Sequence, residues 1–326
     1  MFGKKEGICM EFIDFDGMVE NDRTYSGNAG EKLGIIFRGE NWILKFPKST
    51  KAFRNVEISY TTSPLSEYIG SHIYDTLDIP VHETIMGAKD GKVVVACKDF
   101  LKNGDILQEF RELKNMYQKE LTDILADERS SGSGDGAELS VVLAVLEKNR
   151  ILKKVPEAKQ RFWDMFVVDA LIGNNDRNNG NWGVIKDLNG RFKLAPVYDN
   201  GNCFSNKATD EQIIKRMNEP ENMRNSAYIS VRSAYEKNGK GINPFRYMAD
   251  TDNADCLEAM ERIHLKFDMK QIKQILDDIP VEYNGHLILS QPYRDYIEKI
   301  MDMRMGRLGK CLQPEIIIEK ERKRSR

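Results

Sequence analysis

A run of amides around one acid lies near the middle of the chain: Asn174-Asn175-Asp176-Arg177-Asn178-Asn179-Gly180-Asn181. A shorter run, Tyr198-Asp199-Asn200-Gly201, follows it. Together they place an acid five residues before an amide, and a second acid eighteen residues beyond that amide. This spacing is typical of a phosphoryl-transfer site. There the first Asp receives or orients the proton of the nucleophile, while the Asn and the second Asp hold Mg²⁺ against the nucleotide phosphates.

The residues between these two runs predict a β-hairpin. Segments on either side of Asn189-Gly190 can each form a short strand, and this dipeptide favours a two-residue type I′ turn. Counting outward from that turn sets Tyr198 opposite Asn181, with Asp199 one step beyond at the same open end. The alternative is a set of ordinary turns, because Asn, Asp and Gly are common turn residues.

Length and composition predict a globular protein of two lobes. The chain has 326 residues, of which 40% are hydrophobic and 31% charged. Its net charge of −2 gives no reason to expect nucleic acid as a partner. The five cysteines contain no C-x-x-C pair and the four histidines have no metal-ligand spacing, which favours free thiols in a reducing compartment.

The sequence contains no apolar run long enough for a signal peptide or a membrane span. We therefore expect a cytoplasmic protein. Export by a route that needs no leader would leave no trace in the sequence and stays open.

Two features of the first hundred residues fit a nucleotide site. A loop of small residues precedes a strand, so that its backbone N–H groups could approach phosphates; it contains Ser26, Gly27, Asn28, Ala29, Gly30 and Lys32. Lys45 lies in an otherwise apolar strand, on the face opposite Trp42, Leu44 and Phe46. An edge lysine that discourages aggregation and a phosphate-binding lysine both explain Lys45.

A helix is predicted to begin with Ser63 as N-cap and Pro64 in the first turn. Glu67 lies in that first turn. It either complements the helix dipole or forms an ion pair that directs Lys45 toward the phosphates, and the other motifs favour the pair.

A second hairpin turns at Asp90-Gly91 and ends at Cys97, Lys98 and Asp99, after which the pattern becomes helical. We predict a hinge there, whose backbone could bind an adenine edge, although an ordinary connection would have the same sequence. The predicted lobes are residues 1–98, β-rich and nucleotide-binding, and residues 99–326, helical and catalytic. The main predicted helices cover 157–173, 252–279 and 291–312.

In their order along the chain, these motifs resemble those of HipA-like bacterial serine/threonine kinases, in particular the branch of cell-translocating kinase A (CtkA). The resemblance covers residues 24–280, and its most specific part is 162–199. It rests on the segments Ile43-Leu44-Lys45-Phe46-Pro47, Ser66-Glu67-Tyr68, Val94-Val95-Ala96-Cys97-Lys98-Asp99-Phe100, Phe162-Trp163-Asp164-Met165-Phe166, Asn175-Asp176-Arg177-Asn178-Asn179-Gly180-Asn181-Trp182-Gly183 and Ala195-Pro196-Val197-Tyr198-Asp199.

The resemblance implies a two-lobed α+β kinase fold that binds ATP and Mg²⁺ and phosphorylates Ser or Thr of proteins, including its own chain. Carried over by position, Asp176 is the catalytic base and Asn181 and Asp199 are the metal ligands. Lys45 is the phosphate lysine, held by Glu67. HipA itself often has His two residues after the catalytic Asp, where this chain has Asn178.

The resemblance also makes residues 26–32 the phosphate-covering loop, residues 97–99 the hinge and Ser26 the autophosphorylation position. Two alternatives stay open at this stage. A lipid or small-molecule kinase of related fold uses the same acid–amide–acid arrangement, and a nucleotide-binding scaffold would need no catalysis.

Overall fold

The structure is a computed structural model that describes residues 10–23, 25, 32–51, 58–125 and 138–313. The predicted loop positions Ser26 to Gly30 lie outside the described residues, as do the serine-rich segment at 130–133 and the basic tail at 322–326. Lys32, the last residue of the predicted phosphate loop, is described.

Short runs of strands and helices follow one another along the chain. The strands are β1 (Phe12–Asp14), β2 (Lys32–Phe37), β3 (Glu40–Lys45), β4 (Thr84–Lys89), β5 (Lys92–Lys98), β6 (Ile106–Glu109), β7 (Gly183–Lys186), β8 (Phe192–Leu194), β9 (Glu236–Lys237), β10 (Lys240–Gly241), β11 (Glu282–Tyr283) and β12 (His286–Leu287). The α-helices are α1 (Ser63–Thr76), α2 (Phe110–Leu125), α3 (Leu139–Lys148), α4 (Ala158–Ile172), α5 (Asp210–Asn218), α6 (Pro220–Arg224), α7 (Pro244–Asp250), α8 (Ala254–Lys266), α9 (Met269–Asp277) and α10 (Gln291–Cys311).

The chain divides into two compact units. The first joins residues 1–99 with 200–226 and 267–303, and the second joins 100–199 with 227–266 and 304–326. One unit is built around a five-stranded sheet and the other is mostly helical, so the predicted α+β class is confirmed. The predicted lobe boundary after residue 98 stays a prediction.

The sheet of the first unit has the strand order β1-β4-β5-β3-β2. Strand β1 runs parallel to β4, and the other neighbours are antiparallel. The turns Arg38-Gly39 and Asp90-Gly91 join β2 to β3 and β4 to β5, and all four residues have positive φ, as a two-residue type I′ turn requires. On one face of the sheet, Trp42 and Leu44 pack into an aromatic core, as the alternation in β3 predicts.

Helix α1 covers the sheet at β4 and β5. The apolar stripe of this helix and of its C-cap is buried throughout: Leu65, Tyr68, Ile69, Ile73 and Leu77. The predicted N-cap at Ser63 is wrong by one residue. Thr62 occupies that position, because its carbonyl accepts the first helical hydrogen bond, from the Ser66 N–H (3.0 Å).

The second unit surrounds the buried helix α4, which packs against α3, α7 and α8. Its three-stranded sheet has the order β6-β7-β8. Gly173 follows α4 with φ of +74° in the left-handed C-cap conformation, so that the chain turns there into the acidic and amide-rich run at 174–181. Among the described helices, none is long and apolar enough to cross a membrane.

The turn predicted between β7 and β8 is wrong in type and in register. Gly190 has φ of +74°, but Asn189 does not have the positive φ that a type I′ turn needs. The Asp187 carboxylate accepts the N–H groups of Asn189 (2.9 Å) and Arg191 (2.8 Å), which stabilises a three-residue loop instead. Val184 therefore pairs with Leu194, and the predicted pairing of Tyr198 with Asn181 shifts by one residue.

Gly183 gives a test of the packing next to this hairpin. A Cβ atom on Gly183 would lie 2.2 Å from the Gln108 carbonyl oxygen and 2.9 Å from the Glu109 Cα. Both are backbone atoms that cannot rotate away. We expect Gly183→Ala to lower the free energy of unfolding by about 2 kcal/mol, measured by urea denaturation.

Gly241→Ala is the matched control, because a Cβ there would meet nothing within 4 Å. We expect it to change stability by less than about 0.5 kcal/mol. Equal stabilities of the two variants would contradict the close approach of β6 to β7 at Gly183.

Candidate active site

Lys45 and Glu67 form a buried ion pair in the first unit. Lys45 Nζ lies 3.1 Å from Glu67 Oε2, and the side chains are 16% and 3% exposed. The pair predicted from sequence is therefore present. Lys32, at the start of β2, lies directly opposite Lys45 in the strand register.

The Glu67 carboxylate has two further hydrogen-bond donors. Its Oε1 atom is bound to His82 Nε2 (2.8 Å) and accepts the Asn200 N–H (3.0 Å). Burial by itself would raise the pKa of the Glu67 carboxyl. The Lys45 ammonium and the bonds from His82 and Asn200 more than offset that effect, so the pKa lies well below its usual range.

His82 and Asn200 are two contacts that sequence reasoning missed. The spacing of the histidines predicts no ligand role for His82, and the Asn200 bond uses a backbone N–H that no side-chain pattern reveals. The buried Cys97 thiol lies close by: the Glu67, His82 and Cys97 ligand atoms are all within 4.8 Å of one another. The only signal in the sequence was that His82 stands alone just before a strand, and its position does not indicate which residue it would contact.

The predicted hinge at 97–99 has its own hydrogen bonds. The Lys98 N–H donates to the Glu83 carbonyl (2.9 Å) and the Asp99 N–H donates to the Asn41 carbonyl (2.9 Å). The Asp99 carboxylate accepts from Arg23 Nη1 (2.6 Å) and from the Tyr25 hydroxyl (3.1 Å). Because the N–H groups of Lys98 and Asp99 already donate to these carbonyls, neither can donate to an adenine unless its present bond breaks. The hinge role stays a prediction.

Asp176 and Asn181 lie in one hydrogen-bonded loop of the second unit. The Asp176 N–H donates to Asn174 Oδ1 (3.1 Å), and the Asn181 side-chain amide donates to the Asp176 carbonyl. Asn178 Nδ2 lies 3.3 Å from Asp176 Oδ1, so the residue that replaces the family's frequent His still contacts the candidate base. Three of the five amide side chains in these eight residues, those of Asn174, Asn178 and Asn181, thus form hydrogen bonds within the loop.

The buried guanidinium group of Arg177 anchors this loop. Its side chain is 2% exposed, and its Nε and Nη2 atoms bind the Asp169 carboxylate at 3.0 and 3.3 Å. Its Nη1 atom donates to the carbonyls of Asn181 (3.1 Å) and Tyr198. One guanidinium thereby joins α4 to the candidate metal ligand Asn181 and to Tyr198, the residue before the other candidate ligand. Sequence reasoning missed this role, although an acid such as Asp169 within an apolar helix was a possible signal.

Asp199 differs from its neighbours in backbone conformation. Its φ is +58°, in the left-handed region that costs a non-glycine residue about 1–2 kcal/mol. Such strain is common where function requires a particular direction of a side chain. The preceding Tyr198 is buried, and burial together with the Asp199 carboxylate raises the pKa of its phenol far above the usual value.

Comparisons with known proteins show which family this fold resembles. The family model of the HipA-like C-terminal domain matches residues 26–279. The serine/threonine-protein kinase CtkA of Helicobacter pylori strain J99 is 32% identical over 304 residues, which cover 92% of this chain and 87% of that protein. The crystal structure of a Helicobacter pylori proinflammatory kinase CtkA matches with a TM-score of 0.82 at 30% identity, covering 95% of this chain and 99% of that chain.

The chain therefore belongs to the HipA-like C-terminal domain family. The resemblance to this family and to its CtkA branch is confirmed, as is the kinase-like fold. The predicted class of enzyme, a protein kinase, is confirmed by the same two likenesses. The roles of the individual site residues stay predictions.

The buried Asp169–Arg177 pair predicts a large stability effect. Asp169→Ala leaves the enclosed guanidinium without its carboxylate, so we expect a loss of about 3–5 kcal/mol in the free energy of unfolding. Asp164→Ala is the matched control on the same helix. Its partner Arg262 is 32% exposed and can turn to water, so we expect a loss of only about 1 kcal/mol. Urea denaturation of both variants measures the difference in the free energy of unfolding. Equal losses would contradict the buried ion pair between Asp169 and Arg177.

The lowered pKa of Glu67 makes the stability of the fold depend on pH. Because its folded-state pKa is lowered from an unfolded value of about 4.3, its stabilisation is complete above about pH 5 and is lost as the pH falls from there toward the folded-state pKa. We expect Glu67→Gln to cost about 3 kcal/mol at pH 7 and less at each step below pH 5, measured by urea denaturation. A cost of Glu67→Gln that stays constant below pH 5 would contradict the lowered pKa of Glu67.

Proposed function

We propose that the chain transfers the γ-phosphoryl group of ATP to Ser or Thr hydroxyls of proteins, its own chain included, with Mg²⁺ as cofactor. The observation that carries this proposal is the single loop in which Asp176 and Asn181 are hydrogen-bonded together and anchored by Arg177. The serine/threonine specificity in the name of the relative CtkA supports the choice of acceptor.

Lys45 would bind the nucleotide phosphates. Lys32 and Lys45 lie opposite each other in adjacent strands, and like charges in that position repel. A polyphosphate near them would relieve the repulsion, and the Glu67 carboxylate keeps Lys45 in place. The small-residue loop at 26–32, which includes Ser26, would cover the same phosphates.

Asp176 would orient the attacking hydroxyl and accept its proton. The hydroxyl oxygen forms a bond to the γ-phosphorus while the bond from that phosphorus to the β–γ bridging oxygen breaks, and ADP leaves with the electron pair. Catalysis of this kind depends on position and charge rather than on covalent intermediates. The hydrogen bonds that Asn174 and Asn178 make to Asp176 supply that position.

Asn181 and Asp199 fit a hard divalent cation, because they offer an amide oxygen and a carboxylate. Asn181 donates its Nδ2 atom to the Asp176 carbonyl, which leaves its Oδ1 atom as the ligating oxygen. The left-handed backbone at Asp199 supports a directed role for its carboxylate. When bound, Mg²⁺ would neutralise negative charge on the β- and γ-phosphoryl oxygens.

Labelling with γ-labelled ATP and Mg²⁺ tests the proposal. We expect wild-type protein to label itself and a generic protein substrate on Ser or Thr. Asp176→Asn and Asp199→Asn should each lower the rate by at least about 100-fold, the second also weakening the binding of Mg-ATP. Mapping the labelled residues then distinguishes Ser26 from the serines at 130–133.

Asp302→Asn is the matched control, because this acid is exposed on α10 and has no role in the proposed site. It should label at the wild-type rate. Near wild-type labelling by either site variant would overturn the residue assignment. Transfer into lipid vesicles or sugars in place of protein would overturn the acceptor class.

A further inference from the structure

We infer that His82 is a positioning residue for the Lys45–Glu67 pair, and hence for the nucleotide phosphates. The inference rests on the proposed function, since it assigns His82 a share in the same phosphate site. His82 lies in the connection between α1 and β4, and its side chain is 3% exposed. Its role would be to hold the Glu67 carboxylate in one orientation.

The two oxygens of Glu67 have different partners. Oε2 lies 3.1 Å from Lys45 Nζ, whereas Oε1 is bound by His82 Nε2 at 2.8 Å and by the Asn200 N–H at 3.0 Å. The terminal torsion of a glutamate is soft and roughly two-fold, so a lysine partner alone does not fix it. The imidazole adds a directed bond to the other oxygen, Oε1.

Burial makes this contact consequential. Glu67 and His82 are both enclosed, so water cannot replace a lost donor without entering the core. If the Glu67 carboxylate loses the His82 donor, Oε1 keeps only the Asn200 N–H. The carboxylate can then lower its energy by rotating so that both oxygens approach the remaining donors, of which Lys45 is one. The ammonium would then be drawn toward Glu67 Oε1 and away from a phosphate, and we expect weaker ATP binding.

A purely structural role for His82 predicts a different outcome. In that case His82 anchors the connection before β4, and its substitution lowers stability without a specific effect on ATP. Three readouts separate the two roles: the change in KM for ATP against the change in kcat, rescue by a matched donor, and dependence on Lys45.

The first test compares three substitutions. Gln places an amide N–H near the position of His Nε2, whereas Asn has a shorter reach and Leu has no donor. We expect His82→Gln to keep kcat/KM for ATP within threefold of wild type. His82→Leu and His82→Asn should lower it at least tenfold, mainly by raising KM. His72→Leu is the control, because His72 Nδ1 is hydrogen-bonded to the Tyr68 carbonyl in its own helix rather than to Glu67.

The second test measures the Kd for Mg-ATP in a double-mutant cycle. His82→Asn should weaken binding in the wild-type background and have no further effect in the Lys45→Met background. Thermal melts identify folded variants, and His82→Asn, which is small and polar, serves if His82→Leu does not fold.

Equal kcat/KM for all folded His82 variants would overturn the inference. An equal effect of His82→Asn with and without Lys45 would overturn it as well, since His82 would then act through the fold alone. An inactive wild-type protein would instead contradict the proposed function, and the Kd cycle would still decide the part played by His82.

Discussion

The buried charge of Glu67 is the constraint on which the sheet-rich unit depends. Removing a carboxylate from water costs several kcal/mol, and hydrogen bonds or an opposite charge must offset that cost. The donors come from three separate segments: β3, the connection before β4 and the backbone at Asn200. These segments have to meet at one point. A Cβ on Gly201 would lie 3.1 Å from Glu67 Oε2, so the small residue there also fits the close approach.

Much of this architecture could be predicted because its causes are local. The dipeptide Asp90-Gly91 tolerates positive φ, and it gives the two-residue turn that its sequence indicates. The apolar periodicity of α1 and α4 predicts buried helices, and Gly173 ends α4 as expected. The spacing of Asp176 and Asn181 predicts that they share a loop, since five residues leave little freedom.

The rest depends on contacts that local patterns do not contain. Asn189-Gly190 has the same turn preference as the other hairpins, but the Asp187 carboxylate binds two backbone N–H groups and selects a longer loop. His82 and Asn200 reach Glu67 from 15 and 133 residues away along the chain. Arg177 has the appearance of a surface residue in a polar run, and only the folded unit shows that it is enclosed.

The enclosure of Arg177 bears on how such an enzyme could be controlled. Many kinases are switched on when a newly phosphorylated side chain pairs with an arginine and orders a segment around it. Arg177 is committed to a carboxylate and two backbone carbonyls from the moment its unit folds. A phosphoryl group added to the chain would have to find another cation. The loop that carries Asp176 is thus anchored by contacts that form when its own unit folds.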